Sequence, residues 1–177
     1  MSGPGSRTPF REPPAREEGL VLALKHERDD GALLRELARL VEDLRHQRYR
    51  TIILQAQDPT TMAVEEFADL FSRHLLYEEN LLFPVLREPT PAAGEMLDGL
   101  REEHGRLRSF AQELVDHVRC RNLQAACETG RFFMAALLDH ISREGRVTHT
   151  LVQRLDPRAA ARVRAVLESE HDLDGTE

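Results

Sequence analysis

The sequence predicts an all-α fold, an up-down-up-down four-helix bundle closed by a short fifth helix. Three observations predict it. Four long segments repeat apolar residues at intervals of three and four, no segment sustains the period-two alternation of a strand, and the connections between segments are short. A length of 177 residues favours one domain with a real core. The expected organisation is a flexible tail over residues 1–17, the bundle over 18–156, and a short helix with an acidic tail over 157–177.

Residues 1–17 are rich in Pro, Gly, Ser and Arg and lack the apolar surface needed to order themselves. The first helix is expected from Glu18 to Arg48, with the stripe Leu22, His26, Leu33, Leu37, Leu40 and Leu44. Gly31 lies inside it and should weaken or bend it. The apolar run TIILQ at residues 51–55 either extends this helix or folds over the bundle end. Asp58-Pro59 then turns the chain, with Thr60 or Thr61 as N-cap. The second helix, from Thr61 to Arg87, carries Val64, Phe67, Phe71, His74, Glu78, Leu81 or Leu82, and Val85, and Pro84 should kink its last turn. The third, from Ala92 to Arg119, carries Leu97, Leu100, His104, Leu107, Ala111, Leu114 and Val118. The fourth, from Asn122 to Leu155, carries Ala126, Phe133, Ala136, His140, Glu144, Val147 and Leu151, and Asp156-Pro157 stops it. Val163 and Leu167 mark the fifth.

Composition narrows the function classes. A formal charge of −7 argues against a nucleic-acid partner. No apolar run is long enough to span a membrane, and the N-terminus has no apolar core of a signal peptide, so the expected location is the cytoplasm. Cys120 and Cys127 form no CxxC motif and are expected to be reduced.

The chemistry lies where the apolar stripes are interrupted. His74 and Glu78 stand four residues apart on the second helix, and His140 and Glu144 stand four apart on the fourth. Residues so spaced share a helix face, about 6 Å apart along the axis. His26 and His104 interrupt the other two stripes. A lone histidine on an apolar face is commonly a hydrogen-bonded core residue, and a single His–Glu pair is commonly a surface pair of a few tenths of a kcal/mol. Recurrence on all four stripes is hard to reconcile with either account. Buried carboxylates need compensation, which a dication or trication supplies, and mixed nitrogen and oxygen donors in this number suit two iron ions.

The order H…HxxxE…H…HxxxE resembles the hemerythrin-like family, also called the HHE cation-binding domain. The strings LKHERDDGALLREL, HLLYEENLLFP, LREEHGRL and LLDHISREG resemble its four helices, over residues 19–155. The resemblance implies a non-haem di-iron site in which His26 and His74 bind one iron and His104 and His140 the other. Glu78 and Glu144 would bridge the ions, with an oxo or hydroxo group completing the bridge and one position left open on each iron. The implied ligands are O2, NO or H2O2, with an external reductant for sustained turnover and a catalase-like reaction as the exception.

The sequence departs from the oxygen carriers of that family. They bear a further histidine four residues beyond the third-helix ligand, where this chain has Arg108, and a last carboxylate at i+5, where this chain has Glu144 at i+4. It is closer to the bacterial four-histidine, two-glutamate branch, which includes proteins linked to oxidative and nitrosative stress. Whether such a protein is an enzyme stays open; the rival expectation is a non-enzymatic iron or oxygen sensor or store signalling to a partner. A ferritin-like centre needs Glu three residues before a ligand histidine, and a zinc hydrolase needs HExxH; the stripe histidines have neither. His46 and His149 are expected in solvent, and His117 lies about 20 Å along the helix from His104; Glu79 either supports a ligand from behind or faces solvent, Arg108 either guards the opening to the metals or points outward, and outward is the favoured expectation for both. Tyr77 and the two cysteines receive no assigned role.

Overall fold

The structure is a computed structural model that describes residues 15–48, 59–88 and 91–174. It is helical throughout: α1 (Ala15–Arg48), α2 (Pro59–Tyr77), a π-helical segment (Glu78–Leu82), α3 (Phe83–Arg87), α4 (Pro91–Arg119), α5 (Leu123–Val152) and α6 (Pro157–Asp174). The expected tail up to residue 14, the TIILQ run and the last three residues lie outside the described residues, as do the side chains of Leu22 and Leu167. Helix α1 runs unbroken through Gly31.

The long helices form the expected ring. Helix α1 packs on α2 and α5, α4 packs on the same two, and α6 lies against α1, α3 and the π segment. The α4–α5 connection is tight. Arg121 takes a left-handed φ of 59°, and the Asn122 amide reaches back to the His117 carbonyl at 2.8 Å, the bond that closes a Schellman motif. Asn122 then caps α5 by accepting from the Ala125 amide at 3.2 Å.

Pro84 does more than kink a turn. It has no amide hydrogen and its ring crowds the carbonyl four residues back. The preceding turn is widened instead, and the Phe83 amide bonds the Glu78 carbonyl five residues away. This inserts one residue into the helical register. Of the expected inward positions, Leu82 is buried and Val85 partly buried; Phe83 and Leu86 join them in the core, while Leu81 is exposed.

Two apolar clusters fill the bundle. One joins Leu33 through Leu44, Val64 through Leu75, Leu107 through Val118 and Ala126 through Leu137. The other joins Tyr77, Leu82, Phe83 and Leu86 to Leu97, Leu100, Val147, Leu151 and Val163. His104 and His140 fall between them in sequence on α4 and α5, and His74 stands at their boundary on α2, beside Leu75 and Tyr77, so a polar layer lies between two apolar ones.

Gly130 is buried where α1 crosses α5, and a Cβ there would stand 2.5 Å from Val41 Cγ2. Alanine would improve helix propensity by about 1 kcal/mol, but overpacking of this kind costs about 1–3 kcal/mol. Gly130→Ala should therefore lower the melting temperature, and Val41→Ala in the same chain should restore part of the loss. A Gly130→Ala chain that melts higher would show that α1 can shift freely.

Candidate metal centre

All six residues expected from the sequence meet in the polar layer. The side chains of His26, His74, Glu78, His104, His140 and Glu144 are nearly or fully buried. Each is set by its helix: His74 and Glu78 by one turn of α2 and the π segment, His140 and Glu144 by one turn of α5, His26 by α1 and His104 by α4. A seventh residue joins them. Asp30, one turn beyond His26 and only 5% exposed at its side chain, places Oδ1 2.9 Å from His74 Nε2 and Oδ2 4.0 Å from His26 Nε2.

The donors divide into two groups. His26, Asp30, His74 and Glu78 form one, and Glu78, His104, His140 and Glu144 the other, with one donor atom from each residue lying within 4.8 Å of the rest of its group. Glu78 belongs to both. Its Oε1 lies 3.0 Å from His26 Nε2 and 2.9 Å from His74 Nε2, and its Oε2 lies 3.3 Å from His104 Nε2. Glu144 is divided in the same way, with Oε1 3.3 Å from His26 Nε2 and Oε2 3.2 Å from His140 Nε2.

These spacings fit metal ions. Donors held at about 2.1 Å around an octahedral ion stand about 3.0 Å apart when adjacent and about 4.2 Å apart when opposite. The distances above fall close to these two values. Both oxygens of Glu78, Oε2 of Glu144 and Nε2 of His104 are buried and make no hydrogen bond, although imidazole nitrogens lie near the carboxylate oxygens. Whereas His26 Nε2 meets Glu144 Oε1 at 3.3 Å and His74 Nε2 meets Asp30 Oδ1 at 2.9 Å as hydrogen bonds, these four atoms are close to neighbours without pointing at them as donor and acceptor do, which is how ligands arranged about a common ion stand. Buried polar groups left so are costly.

A second layer of carboxylates turns the histidines. His104 Nδ1–H donates to Glu79 Oε1 at 2.9 Å, and His140 Nδ1–H donates to Glu103 Oε2 at 3.0 Å. Both contacts fix the tautomer that leaves Nε2 free to face inward. Arg108 holds Glu79 at 2.9 Å, Arg101 bonds the Glu79 carbonyl at 3.0 Å, and Arg143 holds Glu103. Glu79 and Arg108 therefore do not face outward as expected. The extra residue of the π segment lets Glu78 and Glu79 both turn inward, and Arg108 follows the charge of Glu79. Phe83 stacks on His104 with ring centroids 5.4 Å apart.

Without a metal, protons do the balancing. Burial opposes protonation of His26, but Asp30 and Glu144 outweigh it and raise its pKa well above the ordinary 6.5. Burial also opposes protonation of His140, and the adjacent Glu144 carboxylate overrides it, with Glu103 assisting, raising the pKa to about 9. Burial would raise the Glu78 carboxyl, yet His74 and His26 hold it well below the ordinary 4.5. Burial and Glu78 would raise Glu144, yet His26 and His140 bring it down to about 2. At Asp30 burial wins and the pKa is raised. At His104 burial wins and the pKa is lowered.

Other histidines lie apart from the cluster. His46 is exposed beside Glu42, and His149 is exposed and bonded to Gln153. Tyr77 is buried and donates its hydroxyl to the Val166 carbonyl, which ties the π turn to α6. Cys120 is exposed and Cys127 buried. No helix among the described residues is long and apolar enough to cross a membrane.

A four-helix bundle with histidines and shared carboxylates between two apolar layers defines a cation-binding helical protein. The family model for the hemerythrin HHE cation-binding domain matches residues 25–152, and the chain belongs to that family. No curated protein and no solved structure gave a significant match.

The metal-free protein should lose stability in alkali. His140, raised from 6.5 to about 9, contributes stability fully below pH 6.5 and loses it as pH rises through about 9, and His26 shifts in the same direction. Glu144, lowered from 4.5 to about 2, contributes stability above pH 4.5 and loses it as pH falls through about 2. Melting of the chelator-treated protein should therefore fall between pH 6.5 and 9, a loss that bound metal should suppress by replacing the protons. A flat profile for the metal-free protein would contradict the proton-balanced cluster.

Proposed function

We propose that this chain is a non-haem di-iron protein that binds or reduces O2, NO or H2O2. The observation that carries the reading is the division of Glu78 and Glu144, each presenting one oxygen to each pair of histidines. In this reading His26, His74, His104 and His140 supply imidazole nitrogen to two ions, and the two glutamates lie between them. Two bound irons would supply Fe(II)/Fe(III) redox chemistry and a position for a small ligand.

The chain's own residues prepare the site. Glu79 and Glu103 hold His104 and His140 with Nε2 inward, and Arg108 and Arg143 hold those carboxylates in place. The apolar layers on either side keep bulk water away and favour a small ligand over a large substrate. Peroxide can act as both oxidant and reductant, two molecules yielding O2 and two of water, so a catalase-like reaction needs no outside electrons. Reduction of O2 or NO needs an external reductant.

Purified from cells grown with iron, the protein should hold two irons per chain and release O2 from added peroxide over many turnovers. One stoichiometric oxidation without turnover would make it a sensor or store instead. Glu78→Ala and His140→Ala should each lose iron and melt lower than the loaded parent, because binding to the folded state alone couples the two. Unchanged iron content in both would sink the assignment. Glu103→Ala should retain the ligands but weaken iron binding by about 10- to 100-fold, seen in competition with a chelator.

A further inference from the structure

The two halves of the cluster are not equivalent. The His104/His140 half has four protein donors: the two Nε2 atoms, Glu78 Oε2 and Glu144 Oε2. The His26/His74 half has its two Nε2 atoms, Glu78 Oε1 and an Asp30 oxygen grouped together, and Glu144 Oε1 3.3 Å from His26 Nε2 in addition. We infer that Asp30 is a seventh metal ligand, closing the His26/His74 ion to small molecules and leaving the His104/His140 ion as the only one that takes them.

Three features support the assignment. Asp30 and His26 stand on one turn of α1, the same i,i+4 spacing as His74–Glu78 and His140–Glu144, so three helices each deliver one imidazole and one carboxylate to the same layer. One oxygen of Asp30 lies within 4.8 Å of a donor atom of each of His26, His74 and Glu78, and Oδ1 lies 2.9 Å from His74 Nε2, close to the adjacent-donor spacing of about 3.0 Å for an octahedral ion. The nitrogens that Asp30 approaches are the same Nε2 atoms that face Glu78. Its only charged partners among the described residues are these two histidines, so no Arg or Lys accounts for a carboxylate buried this deeply.

Counting donors gives the consequence. With two shared carboxylates and the shared solvent oxygen that the family resemblance implies, two histidines would bring an ion to five ligands, and Asp30 would bring the His26/His74 ion to six. Among the described residues the other half has no sixth protein donor. Beyond it, His104 and His140 are held from outside by Glu79 and Glu103, whose carboxylates bond Nδ1 and not Nε2. Small molecules would then bind at one end of the centre, beside Phe83.

The inference rests on the di-iron reading, and one experiment separates the two. The full-length protein is loaded with iron, its iron is quantified, and the anaerobic diferrous form is titrated with nitric oxide while Mössbauer spectra report the fraction of iron perturbed. Two irons per chain with half of the iron perturbed at saturation is the expected result. Asp30→Ala, refilled under excess Fe(II), should raise the perturbed fraction to all of the iron, and Asp30→Glu should return it to half. Perturbation of all the iron in the parent overturns the role of Asp30 while leaving the di-iron reading intact, and so does an Asp30→Ala chain that still shows half. Fewer than two irons in the parent overturns the di-iron reading itself, and this inference with it. Because the parent alone gives a decisive fraction, the test survives a variant that fails to fold.

Discussion

Burying ionisable groups in the middle of a helical bundle is the constraint from which the rest of the architecture follows. Asp30, Glu78 and Glu144 are almost fully removed from water, and among the described residues their charged partners are all histidines. An uncompensated carboxylate in such a place costs several kcal/mol. Protons on imidazole or bound cations can each meet that cost, and they compete for the same Nε2 atoms. Metal binding by this chain is therefore coupled to proton release and to folding.

The layer is rigidly framed because its outer members are themselves paired. Glu79 and Glu103 occupy the Nδ1 side of two histidines and are held by arginines from α4 and α5. A histidine held in this way cannot rotate Nε2 away from the centre without breaking a charge-assisted hydrogen bond. The arginine in place of a fifth histidine has a positive role: Arg108 acts on His104 through Glu79. Glu79 makes these contacts from within the π segment. Wide turns of this kind occur often at functional sites, and here the local cause is Pro84.

Much of this was legible before any coordinates. Periods of three and four gave four amphipathic helices, and the same periodicity placed His26, His74, His104 and His140 on the buried faces. Of the alternatives Leu81 and Leu82, the structure buries Leu82, and Val85 packs partly buried beside it. Glu79, expected at the surface, instead bonds His104 from within the widened turn. Asp30 was missed although its spacing from His26 equals that of the other two pairs, so the signal was present. Glu103 carried no signal: it adjoins His104 in sequence but serves His140 on the neighbouring helix.

The sequence by itself determined which residues lie on which face, because side-chain direction along a helix depends on local spacing alone. It therefore specified the bundle, the six stripe residues that meet in the polar layer and the family they resemble. Only the tertiary structure decided which oxygen of Glu78 or Glu144 meets which histidine, that Asp30 enters one half of the centre, and that Glu79 and Glu103 orient the imidazoles. Those are contacts between helices. They depend on how each helix is rotated and shifted against its neighbours, which is fixed by the packing of two apolar clusters and one widened turn.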